Sequence, residues 1–142
     1  MSFQHSDMEK FIDILQNNIS RMAQNSAQCK TWCLALTSAL IALSIDKIGC
    51  SKELIWLVLL PPVMFWFLDA YYLQLETAFR DIYDDFIIEC KAAGNDQVPD
   101  ITYQIKIKGS IKKSIKKMFT ISVLPFYGLQ ILIISFFIFG GK

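Results

Sequence analysis

Two hydrophobic rhythms run along this chain. Ile12, Leu15, Ile19, Met22, Ser26 and Cys29 recur at alternating spacings of three and four, the seam of an amphipathic helix that is compatible with a coiled coil. The other face of that helix is polar, with Asp13, Gln16, Asn17, Asn18, Ser20, Arg21, Gln24 and Asn25. The pattern predicts a helix over 8–29, opened by a Ser6/Glu9 capping box and preceded by a disordered 1–7. The seam needs an apolar partner: another helix of the chain, a second copy, or a lipid surface.

The rhythm then gives way to continuous apolar runs. A first membrane span is predicted over 31–48, although its uninterrupted part, Trp32 to Ile45, is short for a hydrocarbon core of ~30 Å. It is rich in small side chains, and the pairs Ala35/Ala39 and Ser38/Ala42 suit close backbone approach between helices in lipid. This helix is therefore expected to be packed among others. Asp46 to Glu53, containing Gly49, reads as a tight outer turn.

A second span is predicted over 54–74, bulky throughout and interrupted by Pro61 and Pro62. These remove two backbone donors and are expected to kink it. The helical period continues outside the span through Leu68, Tyr72, Leu75, Phe79, Ile82, Phe86 and Cys90, and stops at Gly94. The prediction is one helix from 54 to 92, ~58 Å long at 1.5 Å per residue, with 75–92 in the cytoplasm.

A linker and polybasic segment occupy 94–117. Ile101, Tyr103, Ile105 and Ile107 alternate with polar residues at period two, the pattern of a strand; with no sheet to join, an extended or interfacial segment is the preferred reading. The repeat Ser-Ile-Lys-Lys-Ser-Ile-Lys-Lys at 110–117 leads into a third span over 118–139, with Pro125 as a third kink and Gly128 nearby. The fold class expected is all-α: three transmembrane helices, an N-terminal amphipathic helix and a cytoplasmic extension of the second span.

Composition agrees with a bilayer setting. The 142 residues are 54% hydrophobic and 13% aromatic, with mean hydropathy +0.38, more apolar surface than so small a soluble core can bury. A net charge of +1 predicts no nucleic-acid partner. Lys/Arg excess marks the cytoplasmic side. Lys47 and Lys52 are offset by Asp46 and Glu53, whereas Arg80, Lys91, Lys106, Lys108, Lys112, Lys113, Lys116 and Lys117 lie between spans two and three. The N-terminus and central loop are thus placed inside and the C-terminus outside. Lys112, Lys113, Lys116 and Lys117 are expected to bind the inner leaflet at about 1 kcal/mol each; Glu76, Asp81, Asp84, Asp85 and Glu89 form an acidic flank that stands away from it. The first apolar run starts about thirty residues in, behind a polar helix, so no signal peptide is expected.

No residue set suggests enzyme chemistry, a metal or another cofactor. His5 is the one histidine, and Cys29, Cys33, Cys50 and Cys90 form no C-x-x-C pair. Asp69 is the residue to single out, because an acidic group at membrane depth is costly and usually faces a partner or water. Either it reaches interfacial water or a donor such as Arg21 or Lys30, or it lines or gates a pore.

Two stretches carry a family resemblance: Ser20-Arg-Met-Ala-Gln-Asn-Ser-Ala-Gln-Cys-Lys-Thr-Trp32, and Phe65-Trp-Phe-Leu-Asp-Ala-Tyr-Tyr-Leu-Gln-Leu-Glu-Thr-Ala-Phe-Arg-Asp-Ile-Tyr83. An amphipathic helix, a close hairpin of spans and a cytoplasmic helix opening with Asp-x-x-Tyr-Leu-x-x-Glu-x-x-Phe-Arg resemble small bacterial membrane proteins of the SLATT type, over residues 8–92. The resemblance implies a two-span inner-membrane effector of antiphage systems that opens or disrupts the membrane; the third span departs from that plan.

The expectation is a homo-oligomeric, pore-forming effector of the bacterial inner membrane, triggered on its cytoplasmic helices by a nucleotide second messenger, a protein or membrane stress. The alternative is a non-enzymatic anchor whose cytoplasmic helices dock a soluble partner.

Overall fold

The computed structural model describes residues 2–46, 52–93 and 111–140. These form helices α1 (Ser2–Asp46), α2 (Lys52–Ala93), α3 (Ile111–Met118) and α4 (Leu124–Gly140), with a turn at 119–123 and no strand among the described residues. The period-two segment 101–107 lies outside them.

α1 and α2 make one long antiparallel hairpin. At 45 and 42 residues they are ~67 and ~63 Å long. Moving up α1 means moving down α2: Met8 meets Cys90, Phe11 meets Phe86 with ring centroids 5.0 Å apart, and Ser26 and Lys30 meet Asp69. The seam's partner is therefore this chain's own α2. Phe11, Leu15, Phe79 and Phe86 are buried together, with Ile12, Ile19, Met22 and Ile82 packed around them. Burial pushes the Cys90 thiol above its ordinary value, and the charge of Glu89 acts the same way.

Several boundaries differ from the sequence expectation. The amphipathic stretch 8–29 and the apolar stretch from 31 belong to one unbroken helix, which starts at Ser2. Residues 2–7 are thus helical rather than disordered, and Ser6 lies inside the helix where it cannot act as its N-cap. α2 likewise runs continuously through Pro61 and Pro62. Between α3 and α4, the Val123 and Leu124 amides both donate to the Thr120 carbonyl, closing a turn before α4. Pro125 therefore occupies the first turn of a helix, where its missing N–H costs nothing and its fixed φ is favourable. It helps to start α4 rather than kink a span over 118–139.

α2 contains the one stretch among the described helices that is long and apolar enough to cross a membrane, within Leu57–Ala92; Leu124–Phe136 of α4 is apolar but shorter. Exposed large apolar side chains are unevenly spread. On α1 and α2 they cluster over 32–43 and 57–71, whereas the opposite half of the hairpin exposes only Ile14 and Ile88 among such residues described there. α4 and the turn before it add Phe119, Ile121, Leu129, Leu132 and Phe136.

Candidate functional site: a buried ion pair where three helices meet

The change from polar to apolar surface falls at Asp69. This carboxylate is wholly buried. Its Oδ1 accepts a hydrogen bond from the Ser26 hydroxyl, and its Oδ2 lies 2.7 Å from the Lys30 ammonium. Lys30 also donates to the Ser26 oxygen at 3.3 Å. Oδ2 receives no directed hydrogen bond, so its partner is the lysine charge itself. Ser26 and Lys30 are one helical turn apart on α1 and present both groups to the same point of α2. Of the two donors considered from sequence, Lys30 makes the pair, and Arg21 is exposed.

α4 closes this junction. Tyr127 is fully buried, and its phenol lies within electrostatic reach of Asp69, Cys29 and Cys33. Its ring stacks on Trp66 at 6.4 Å and 12°, while the Trp66 indole donates to the Met118 carbonyl at 3.0 Å and so ties α2 to the end of α3. Three residues on, Gln130 accepts a hydrogen bond from the Cys33 thiol at 3.3 Å. Because 127 faces the level of 30 and 130 that of 33, α4 runs in the same direction as α1. Thr37, one turn beyond Cys33, is also buried; its hydroxyl and that of Tyr127 have no partner in bonding geometry. A polar thread therefore leads from Ser26 and Lys30 past Asp69 and Tyr127 to Gln130 and Thr37, inside a shell of apolar side chains.

Other residues singled out from sequence fall elsewhere. Ala35, Ser38, Ala39 and Ala42 are all exposed on the outer side of α1, and Ser38 satisfies its hydroxyl on the Ala35 carbonyl. The expectation that this small-residue face packs among helices is not met within the chain, because α2 and α4 cover the opposite face, that of Cys33 and Thr37. Pro62 is buried and Pro61 half-buried. Lys116 is exposed and Lys117 half-buried on α3; the side chains of Lys112 and Lys113 lie outside the described positions. Sequence reasoning passed over Ser26 as a ligand of Asp69, and over Tyr127, Gln130 and Trp66. The available signal was that Gln130 is the one amide in 118–139, and a polar group in an apolar helix usually faces a partner. Among the described residues no group of three or more His, Cys, Asp or Glu is placed to hold a metal ion.

No family model matches this chain, and no curated protein or solved structure matches it either.

Proposed function

We propose that this chain is a membrane effector of the bacterial inner membrane. In this reading it crosses the bilayer three times, through α1 from about residue 31, the first half of α2, and α4. The N-terminus and the α1/α2 extension lie in the cytoplasm and the C-terminus outside. The observation that carries the reading is the concentration of exposed large apolar side chains on one side of Asp69, with only Ile14, Ile88 and Ile115 exposed on the other among those described. An apolar surface of that extent is stable only against lipid or other protein. Trp32 and Tyr71, both exposed, mark the border as interfacial aromatics do. Three helices at this level, with α4 parallel to α1 and α2 opposed to both, form a compact spanning unit.

The proposed working form is a homo-oligomer that opens or disrupts the membrane, non-enzymatically, as the SLATT resemblance implies for antiphage defence. Support comes from the exposed Ala35, Ser38, Ala39 and Ala42 face, which is free for helix–helix contact between copies. The Lys30–Asp69 pair occupies the joint between membrane and cytoplasmic halves. A signal that parts α1 from α2 there, whether a nucleotide second messenger, a protein or membrane stress, would leave two charges unpaired and invite water along the thread. Depolarisation of expressing cells, read with a voltage-sensitive dye, tests the idea. The wild-type chain is expected to depolarise and Ala39→Leu to abolish the effect; unchanged potential with the wild type, or undiminished depolarisation with Ala39→Leu, refutes this assembly.

The anchor reading has one supporting observation. Asp81, Asp84, Asp85 and Glu89 are exposed on the far half of α2, an acidic face suited to a basic soluble partner. Stoichiometric capture of such a partner, without ion leak from liposomes, would favour it.

A further inference from the structure

A groove of about 580 Å³ runs between α2 and α3, lined by Gln74, Thr77, Asp81, Lys116, Lys117 and Phe119 among others. That volume is within the ~300–1,000 Å³ range of small-ligand sites. Its two walls differ in chemistry. The α3 wall supplies ammonium donors, Lys116 and Lys117. The α2 wall supplies acceptors: the Asp81 carboxylate, and the Thr77 oxygen, whose hydrogen is already given to the Leu73 carbonyl at 2.9 Å. Asp81, Lys116 and Lys117 take part in none of the ion pairs among the described residues. Opposite charges therefore line one groove without neutralising each other.

Such a groove matches an occupant that carries an anion at one end and a hydrogen-bonding cation at the other. Its position narrows the choice. The cluster of exposed apolar side chains on α2 ends at Tyr71, with Ile88 alone beyond it, and the groove begins three residues further on, ~5 to 15 Å along the axis at 1.5 Å per residue. That places it in and just beyond the headgroup layer, which is several Å thick on each side of a ~30 Å core. Phe119, exposed at the mouth, offers an apolar surface to the start of an acyl chain.

We propose that this groove binds an aminoethyl phosphodiester, with the phosphate on Lys116 and Lys117 and the primary ammonium on Asp81. In a bilayer the source is phosphatidylethanolamine; the soluble source is glycerophosphoethanolamine. The assignment rests on the membrane reading above for its location, and not for its chemistry.

The test is native mass spectrometry of the full chain, purified in detergent, delipidated and offered equal amounts of phosphatidylethanolamine, phosphatidylglycerol and phosphatidylcholine. Choline has the same charges as ethanolamine but no N–H to donate. The wild type is expected to retain ethanolamine lipid about tenfold over choline lipid, the ratio that one lost hydrogen bond to a charged group produces. Asp81→Asn is expected to erase that preference and leave phosphatidylglycerol unaffected or stronger. Lys116→Ala/Lys117→Ala is expected to lower all three by about tenfold. Asp81 and Lys116 are exposed and Lys117 is half-buried, so circular dichroism should report unchanged helicity for these variants. Retention in the order glycerol above ethanolamine and choline alike, with Asp81→Asn losing nothing, would overturn the site in favour of simple adsorption to a basic helix. Competition by millimolar glycerophosphoethanolamine identifies headgroup recognition independent of a bilayer. Flotation of the chain with liposomes reports on the membrane reading separately: failure to float with ethanolamine selectivity intact overturns only the location, and flotation without selectivity overturns only the site.

Discussion

Replacing Lys30 tests whether the buried pair holds the junction together. At 2.7 Å and an effective dielectric of about 20, the gross attraction between unit charges is about 6 kcal/mol. Desolvating a fully buried carboxylate takes back several kcal/mol of that. Removing one partner of such a pair costs about 3–5 kcal/mol, because the other charge stays buried and unpaired. The Lys30 side chain is 24% exposed and that of Asp69 is 0%. Water reaching the lysine side puts Lys30→Met near the lower end, about 3 kcal/mol. Asp69→Asn keeps an acceptor for Ser26, and the long lysine stem can carry its ammonium toward solvent, so about 1 kcal/mol is expected. With both changes no charge is left buried, and the double variant is expected to cost about 2 kcal/mol, against about 4 for independent effects. Reversible unfolding in mixed micelles, titrated with a denaturing detergent and followed by far-ultraviolet circular dichroism, gives the four free energies. A coupling of about 2 kcal/mol supports the pair. Coupling below about 0.5 kcal/mol, the usual additivity error, would refute it. Arg21→Met, at an exposed site, serves as the control and should stay within about 0.5 kcal/mol.

The same assay checks the rest of the packing. Leu15→Ala, at a fully buried position beside Phe79 and Phe86, should cost about 2–5 kcal/mol and loosen the half of the hairpin that holds Phe11 and Phe86, seen as faster proteolysis near the two helix ends. Tyr127→Phe keeps the stack on Trp66 and removes a hydroxyl that lies close to Asp69 without a hydrogen bond in good geometry, so a change within about 0.5 kcal/mol is expected, whereas Tyr127→Ala should cost about 3–5. A loss above 1.5 kcal/mol for the phenylalanine variant would mean that the hydroxyl is bonded, to Asp69 or to water. Gly128→Ala should be accepted, since a Cβ there meets nothing within 4 Å and alanine is the better helix former by about 1 kcal/mol; destabilisation would show that α4 packs more tightly at 128 than described.

The hydrophobic pattern was enough to determine the helical character of 8–29, of the apolar stretch from 31 and of 54–92, and the apolar character of α4, because periods of three and four and runs of large apolar residues are local signals; it divided α1 near residue 30, where the structure has one unbroken helix. It also located the extent of α2 and identified Asp69 as a group that needed a partner. What it left open was which seam faced which. The amphipathic face of α1 fits lipid, a second copy or α2 equally well by period alone, and only the antiparallel pairing of Phe11 with Phe86 chooses. Pro125 reads as a kink when the helix is taken to begin at 118, and as a helix start once the turn on Thr120 is known; the difference lies in a backbone hydrogen bond that residue type does not encode. The small-residue face of α1 is visible in sequence, but its exposure is decided by α2 and α4 occupying the opposite side. Local rhythm thus determined the elements and the residue worth watching. Three-dimensional packing decided that Asp69 meets Ser26, Lys30 and the neighbourhood of Tyr127, since residues 26, 69 and 127 are brought together by the long-range closure of the hairpin and the return of the chain, which no local spacing records.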